Sequence, residues 1–235
     1  AEISKKFTKA NFNLKLVFKE LAKSSFYRAD GLNSVITHPH RRAELHDVGV
    51  VRLLAPEQLE RKIKALFGTR WGKVEKKMKI LYGGIDSQSV TERLTEPSGA
   101  MGAIQRIMAN DISCLHVTPD FALKISKRRL FPYIEKHIVP GVRPADDLKI
   151  RKSIVHLREY LLDRHEATDD PEVNRAFNLF ATVIAEAKKR EGIDKRDTYH
   201  CGRIAEKRVD DPHYTLRGWR AVMTYLLRQP EFLYE

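Results

Sequence analysis

Three histidines and two carboxylates crowd one short stretch, Thr37-His38-Pro39-His40-Arg41-Arg42-Ala43-Glu44-Leu45-His46-Asp47. A His-x-His pair beside carboxylates has the donor set for zinc, copper or iron. His38, His40 and His46 are therefore the metal-ligand candidates, and a metal-dependent enzyme centred on them is one functional expectation. Arg41 and Arg42 oppose a dication and compete for the carboxylates, which favours a solvated, salt-bridged loop instead. His156 lies in an apolar helical stripe, where it could be an axial haem ligand or, more commonly, a satisfied core or interface side chain.

A second constellation is cationic. Residues 61–79 hold Arg61, Lys62, Lys64, Arg70, Lys73, Lys76, Lys77 and Lys79 against a single acid, Glu75, with Phe67 and Trp71 interleaved. Cations at these spacings can bind an anionic partner or contact phosphates, and the aromatics could stack on bases. A nucleic-acid-binding helical module is accordingly a second functional expectation. Against it, Leu59, Ile63, Leu66 and Phe67 repeat as a core face, which leaves the charges on a solvated side. No helix-turn-helix, zinc-finger or RNA-recognition signature accompanies them.

The run Leu81-Tyr82-Gly83-Gly84-Ile85-Asp86-Ser87 could place backbone N–H groups around a phosphate, but it matches neither nucleotide-loop spacing. Asp86 puts an anion where phosphate would sit, so a structural turn with an Asp or Ser cap is expected. No G-x-S-x-G elbow positions a nucleophile. The pairs Asp169-Asp170 and Asp210-Asp211 precede prolines and read as helix caps. Outside the histidine loop these features favour a chain without independent catalytic activity.

The two cysteines, Cys114 and Cys201, allow one bridge. It would close a loop of roughly 90 residues, with a model stabilisation of about 4–5 kcal/mol. Two buried thiols are the alternative. Neither C-x-x-C nor C-x-x-C-H occurs, so no covalently bound haem is expected.

The elements that must position these groups are helical. Asn13 can cap a helix with Leu14, Val17, Phe18 and Leu21 as its buried face, ending near Tyr27. Residues 31–50 read as loop. Pro56 opens a helix that stops at Gly68, and Val74–Leu81 forms a shorter one. Asp86 or Ser87 starts a turn presenting Val90 and Leu94. Pro97-Ser98 opens a helix with Ile104, Ile107, Met108 and Ile112 on its face, ending at Thr118-Pro119-Asp120. Three prolines break residues 121–144 into turns and loop.

Further helices start at Asp146 or Asp147, at Asp170-Pro171-Glu172, and at Asp211-Pro212 or Thr215, the last ending at Gln229-Pro230. No convincing strand pair or hairpin is visible. The expected fold is an all-α, mixed or orthogonal bundle of about seven to nine helices. It forms one domain over 1–235, or two packed halves, 1–118 and 145–235, joined by the proline-broken 119–144.

The chain has 235 residues, a net charge of +12 and a mean hydropathy of −0.45, suited to a water-facing protein with a core. The charge implies an anionic partner without saying which. No apolar run is long enough to span a bilayer. A first residue of Ala1 fits a cut chain or a mature exported one.

Several pieces, in order, carry a family resemblance: LKLVFKELAKSSFYR from Leu14, LLAPEQLERKIKALF from Leu53, LYGGIDSQSVTERL from Leu81, MANDISCLHV around Cys114, RRLFPYI from Arg128, and DPHYTLRGWRAVMTYLLRQPEFLYE from Asp211. They resemble the helical, non-haem C-terminal regions of large exported proteins of planctomycetes and related bacteria, which commonly carry a cytochrome c-like domain at the front. The resemblance implies an exported, periplasmic or extracellular helical protein, with a cytoplasmic location as the alternative. It implies a scaffold or docking subunit of a cytochrome-linked redox assembly, partnered by protein subunits such as c-type cytochromes, with haem only in a partner. It brings no catalytic residues.

Overall fold

The structure is a computed structural model and describes residues 2–24, 52–86, 88–94, 97–190, 192, 195–197 and 209–234. His38, His40, His46 and Cys201 lie outside the described residues. Among those described are nine α-helices: α1 (Glu2–Lys9), α2 (Leu14–Lys23), α3 (Pro56–Phe67), α4 (Lys73–Lys77), α5 (Gly99–Phe121), α6 (Pro144–Leu162), α7 (Pro171–Lys189), α8 (Thr215–Leu226) and α9 (Pro230–Leu233). A 3-10 turn covers Ile125–Lys127. The fold is all-α. Among the described residues the β content is one two-residue antiparallel pair, Arg196–Asp197 with Val209–Asp210, and an isolated bridge between Leu53 and Tyr234, too short to show as an alternating pattern in sequence.

The chain divides into two compact units, 1–52 and 53–235. In the second unit helix α5 and helix α8 pack on each other, because both contribute apolar faces to one core.

In the first unit, Asn13 caps α2 by accepting from the Lys15 amide. A Lys6–Glu20 pair at 2.6 Å and an edge-on Phe7–Phe12 contact tie α1 to α2. Neither helix has a buried residue. Leu14, Phe18 and Leu21, read as a buried face, are 59%, 66% and 45% exposed. Periodicity marks which face is apolar but not whether anything covers it.

In the second unit, α8 lies against both α5 and α7. Trp219 is fully buried between the rings of Phe131 and Phe180, at 5.1 and 4.5 Å between centroids. Gly218 lets α7 come this close: a methyl group there would sit 2.7 Å from the Phe180 ring. Helix α8 starts at Thr215 with Tyr214 as its N-cap, and the Asp211 carboxylate, upstream of it, accepts from the amides of Leu216 and Arg217. Asp170 is the N-cap of α7 and accepts from the Glu172 amide. The tail packs on the core: Phe232 and Leu233 are buried, and Leu54 N–H donates to the Leu233 carbonyl.

Several helix ends differ from the sequence reading. Helix α4 stops at Lys77, and turns carry the chain to Gly83. Helix α5 runs through Pro119 to Phe121, since a proline in the last turn forfeits only one ladder bond. Ile107 and Leu148, assigned to core faces, are partly exposed. Residues 88–94 are not helical; Asp86 folds them into a turn. Pro144 rather than Asp146 opens α6, with Arg143 as its N-cap.

Candidate functional site

Half of the basic run 61–79, four of its eight cations, is drawn into contacts of the fold. Lys62 donates to the carbonyls of Glu231 and Phe232 and lies over the Phe232 ring, so it holds the C-terminal tail. Lys73 and the indole N–H of buried Trp71 converge on Asp111 of α5 at 2.6 and 2.8 Å. Arg70 pairs with Glu75, and Lys79 with Glu57, whose carboxyl is held below its usual range. Arg61, Lys64, Lys76 and Lys77 remain exposed without an ion pair among the described residues. The interleaved aromatics are not free: Trp71 is core, and the Phe67 ring lies tilted against His116.

The Gly83-Gly84 turn is structural. Gly83 has φ of +82°, and a methyl group on it would reach within 2.7 Å of Met101. A Cβ at Gly84 would meet the Lys79 carbonyl at 2.9 Å. The Asp86 carboxylate accepts from the amides of Gln88, Ser89 and Val90 and from the Ser89 hydroxyl. These bonds hold its pKa far below the usual carboxylate range. The N–H groups that might have cradled a phosphate are thus occupied by a side chain of this chain.

His156 is a latch. Its Nε2 lies 2.8 Å from the Arg129 carbonyl, which can only accept, so Nε2 carries the proton. That nitrogen has no lone pair for iron in this arrangement. The ring also contacts Tyr133 and Tyr160, tying α6 to residues 129–133. Among the described residues no three His, Cys, Asp or Glu side chains converge as a metal site. Cys114 is buried in α5 and is disulfide-bonded rather than a free thiol; Cys201 lies outside the described residues. No helix among the described residues is long and apolar enough to cross a membrane.

The arrangement with chemical potential lies where the sequence raised no flag. A cleft of about 390 Å³ opens between the end of α3, the last turns of α5 and the segment after it. Leu66, Phe67, Pro119, Leu123 and Leu130 give it apolar walls, and His116, Lys127 and Arg129 face it. The His116 ring lies tilted against Phe67 at 4.7 Å between centroids and makes no hydrogen bond among the described residues. Burial pushes its pKa down to about 4, so the imidazole is neutral at pH 7.

The cleft's cationic rim is rigidly held. From inside, buried Asp120 accepts from the amides of Arg129, Leu130 and Phe131. From outside, Arg128 donates to the carbonyls of Leu123, Phe121 and Ile134 and pairs with Glu135. These bonds fix a stretch of short turns that has no ladder of its own. The side chains of Lys124, Lys127 and Arg129 are exposed and have no ion pair among the described residues. Exposed Leu123 and Ile125 lie among them. The only sequence signal is the acid-free string Leu123-Lys-Ile-Ser-Lys-Arg-Arg129, and nothing in it marks which arginine is consumed.

Comparison with family models, with curated proteins and with solved structures returned no match for this chain.

Proposed function

We propose that the chain is a docking component of a larger exported assembly, without catalysis of its own, and that its acidic partner is a c-type cytochrome subunit of that assembly. The observation that carries this reading is the preorganised rim Lys124, Lys127 and Arg129. Three cations without counter-ions among the described residues stand beside exposed Leu123 and Ile125 on a segment pinned by Asp120 and Arg128. Charge of one sign steers an acidic partner and sets its orientation, while the apolar pair supplies contact area. Pinning before contact reduces the ordering cost of association. A disulfide at Cys114 supports an oxidising, exported setting. Haem then belongs to the partner.

The test is titration of the chain with an acidic c-type cytochrome purified from the same source, followed by calorimetry at rising salt. Binding that weakens with salt, and by at least about tenfold in the K124E/K127E/R129E variant, is expected. The same reversal at exposed Lys64 and Lys77 should change it far less. No binding at low salt, or equal loss from both reversals, would overturn the reading.

A further inference from the structure

We infer that the cleft between α3 and the end of α5 is a receptor for a carboxylate carried on an aromatic or branched apolar body. Its chemistry is divided into two zones. Leu66, Phe67, Pro119, Leu123 and Leu130 form an apolar wall, and Lys127 and Arg129 bring two cations to the mouth. Neither cation has an ion pair among the described residues, so the mouth presents charge that no described side chain answers. Asp120, the one acid in the lining, is already enclosed by three backbone amides.

His116 adds a third element. Its ring faces the cleft, is backed by Phe67, and makes no hydrogen bond among the described residues. A neutral imidazole there has one N–H to donate to a carboxylate oxygen and presents no charge that would repel an apolar ring. An arginine fork beside it suits the two oxygens of one carboxylate. A cation ligand is disfavoured by Lys127 and Arg129. A large polyanion is disfavoured by a cleft that is mostly apolar within and only about 390 Å³ in volume. Both rim cations stand on the segment locked by Arg128 and Asp120, so the pocket is formed before anything enters it.

The same chemistry has two sources: a free aromatic acid, or the C-terminal carboxylate of a partner chain that ends in an aromatic residue. The second deepens the docking reading and rests on it; the first stands without it. The experiment uses the whole chain and two probes, 3-phenylpropanoate and an N-acetylated peptide ending in Phe. The matched controls are 3-phenylpropanol and the same peptide as its C-terminal amide. Binding is followed through the His116 imidazole resonances and by calorimetry.

The acids should shift the His116 signals and bind at least about tenfold more tightly than the neutral controls. R129A and K127A should each weaken the acids and leave the controls unchanged. H116Q, which keeps an N–H donor, should retain more affinity than H116A. Preference for the peptide identifies a protein C-terminus as the source, and preference for the free acid identifies a small molecule. No perturbation of His116 by either acid at millimolar concentration, or equal binding of acids and neutral controls, overturns the inference. Cytochrome titration can fail while the free acid binds, which keeps this result separate from the docking reading.

Discussion

Two cationic stretches of this chain, residues 61–79 and 124–129, divide their charge differently: among the described residues four of eight cations in the first, and one of four in the second, are drawn into contacts of the fold. In the first, Lys62, Arg70, Lys73 and Lys79 are drawn into contacts with the C-terminal tail, Glu75, Asp111 and Glu57. In the second, one arginine, Arg128, collects the internal acceptors and leaves Lys124, Lys127 and Arg129 facing water. A dense basic run is therefore no guide to presented charge. Where helices cross, the lysines find carbonyls and carboxylates, and their charge is spent on holding the fold. Where the chain runs as short turns, one buried guanidinium can satisfy the backbone and free its neighbours.

The comparison breaks hardest at Asp120. Removing its carboxylate leaves the amides of Arg129, Leu130 and Phe131 without their acceptor in a buried setting. D120A should lose about 3–4 kcal/mol in urea unfolding. If the loss is below about 1 kcal/mol, the 124–129 rim is not preorganised and the contrast with 61–79 fails.

A smaller effect should follow pH. The His116 imidazole is pushed down to about 4 in the folded chain from an ordinary 6.5. Between those values the unfolded chain binds more protons, so stability falls as pH drops from about 6.5 to about 4 and is fully present above 6.5. The loss should reach up to about 3 kcal/mol, and H116Q should flatten that window. An unchanged slope would place His116 in water rather than against the cleft wall.

The smallest effect sharpens the contrast directly. K62M forfeits two hydrogen bonds to the tail and should cost about 1–2 kcal/mol. K127A should stay within about 0.5 kcal/mol of the parent chain, as surface substitutions do. Equal costs would mean that the two lysines do the same job.

Much of the scaffold was legible. Asn13, Pro56, Gly68 and Asp170-Pro171 marked helix ends because caps and left-handed stops are local chemistry. The caution about a phosphate at Gly83-Gly84 rested on the loop spacing and on Asp86, whose side chain accepts from the amides of Gln88, Ser89 and Val90. The cleft was not legible. His116 is one histidine on an apolar helix, and its partner Phe67 is 49 residues away in sequence. The exposed stripe of α2 misled because amphipathic spacing is the same whether or not a neighbour covers it.

The sequence by itself determined the helical class, most helix starts and stops, and a surplus of positive charge. These follow from backbone preferences and spacing within one or two turns. Only the tertiary structure decided which cations stay in water, which histidine is half-buried beside a cleft, and that α8 is the helix joining α5 to α7. Those outcomes depend on what lies opposite each side chain, and for Lys62 that is a carbonyl 170 residues along the chain.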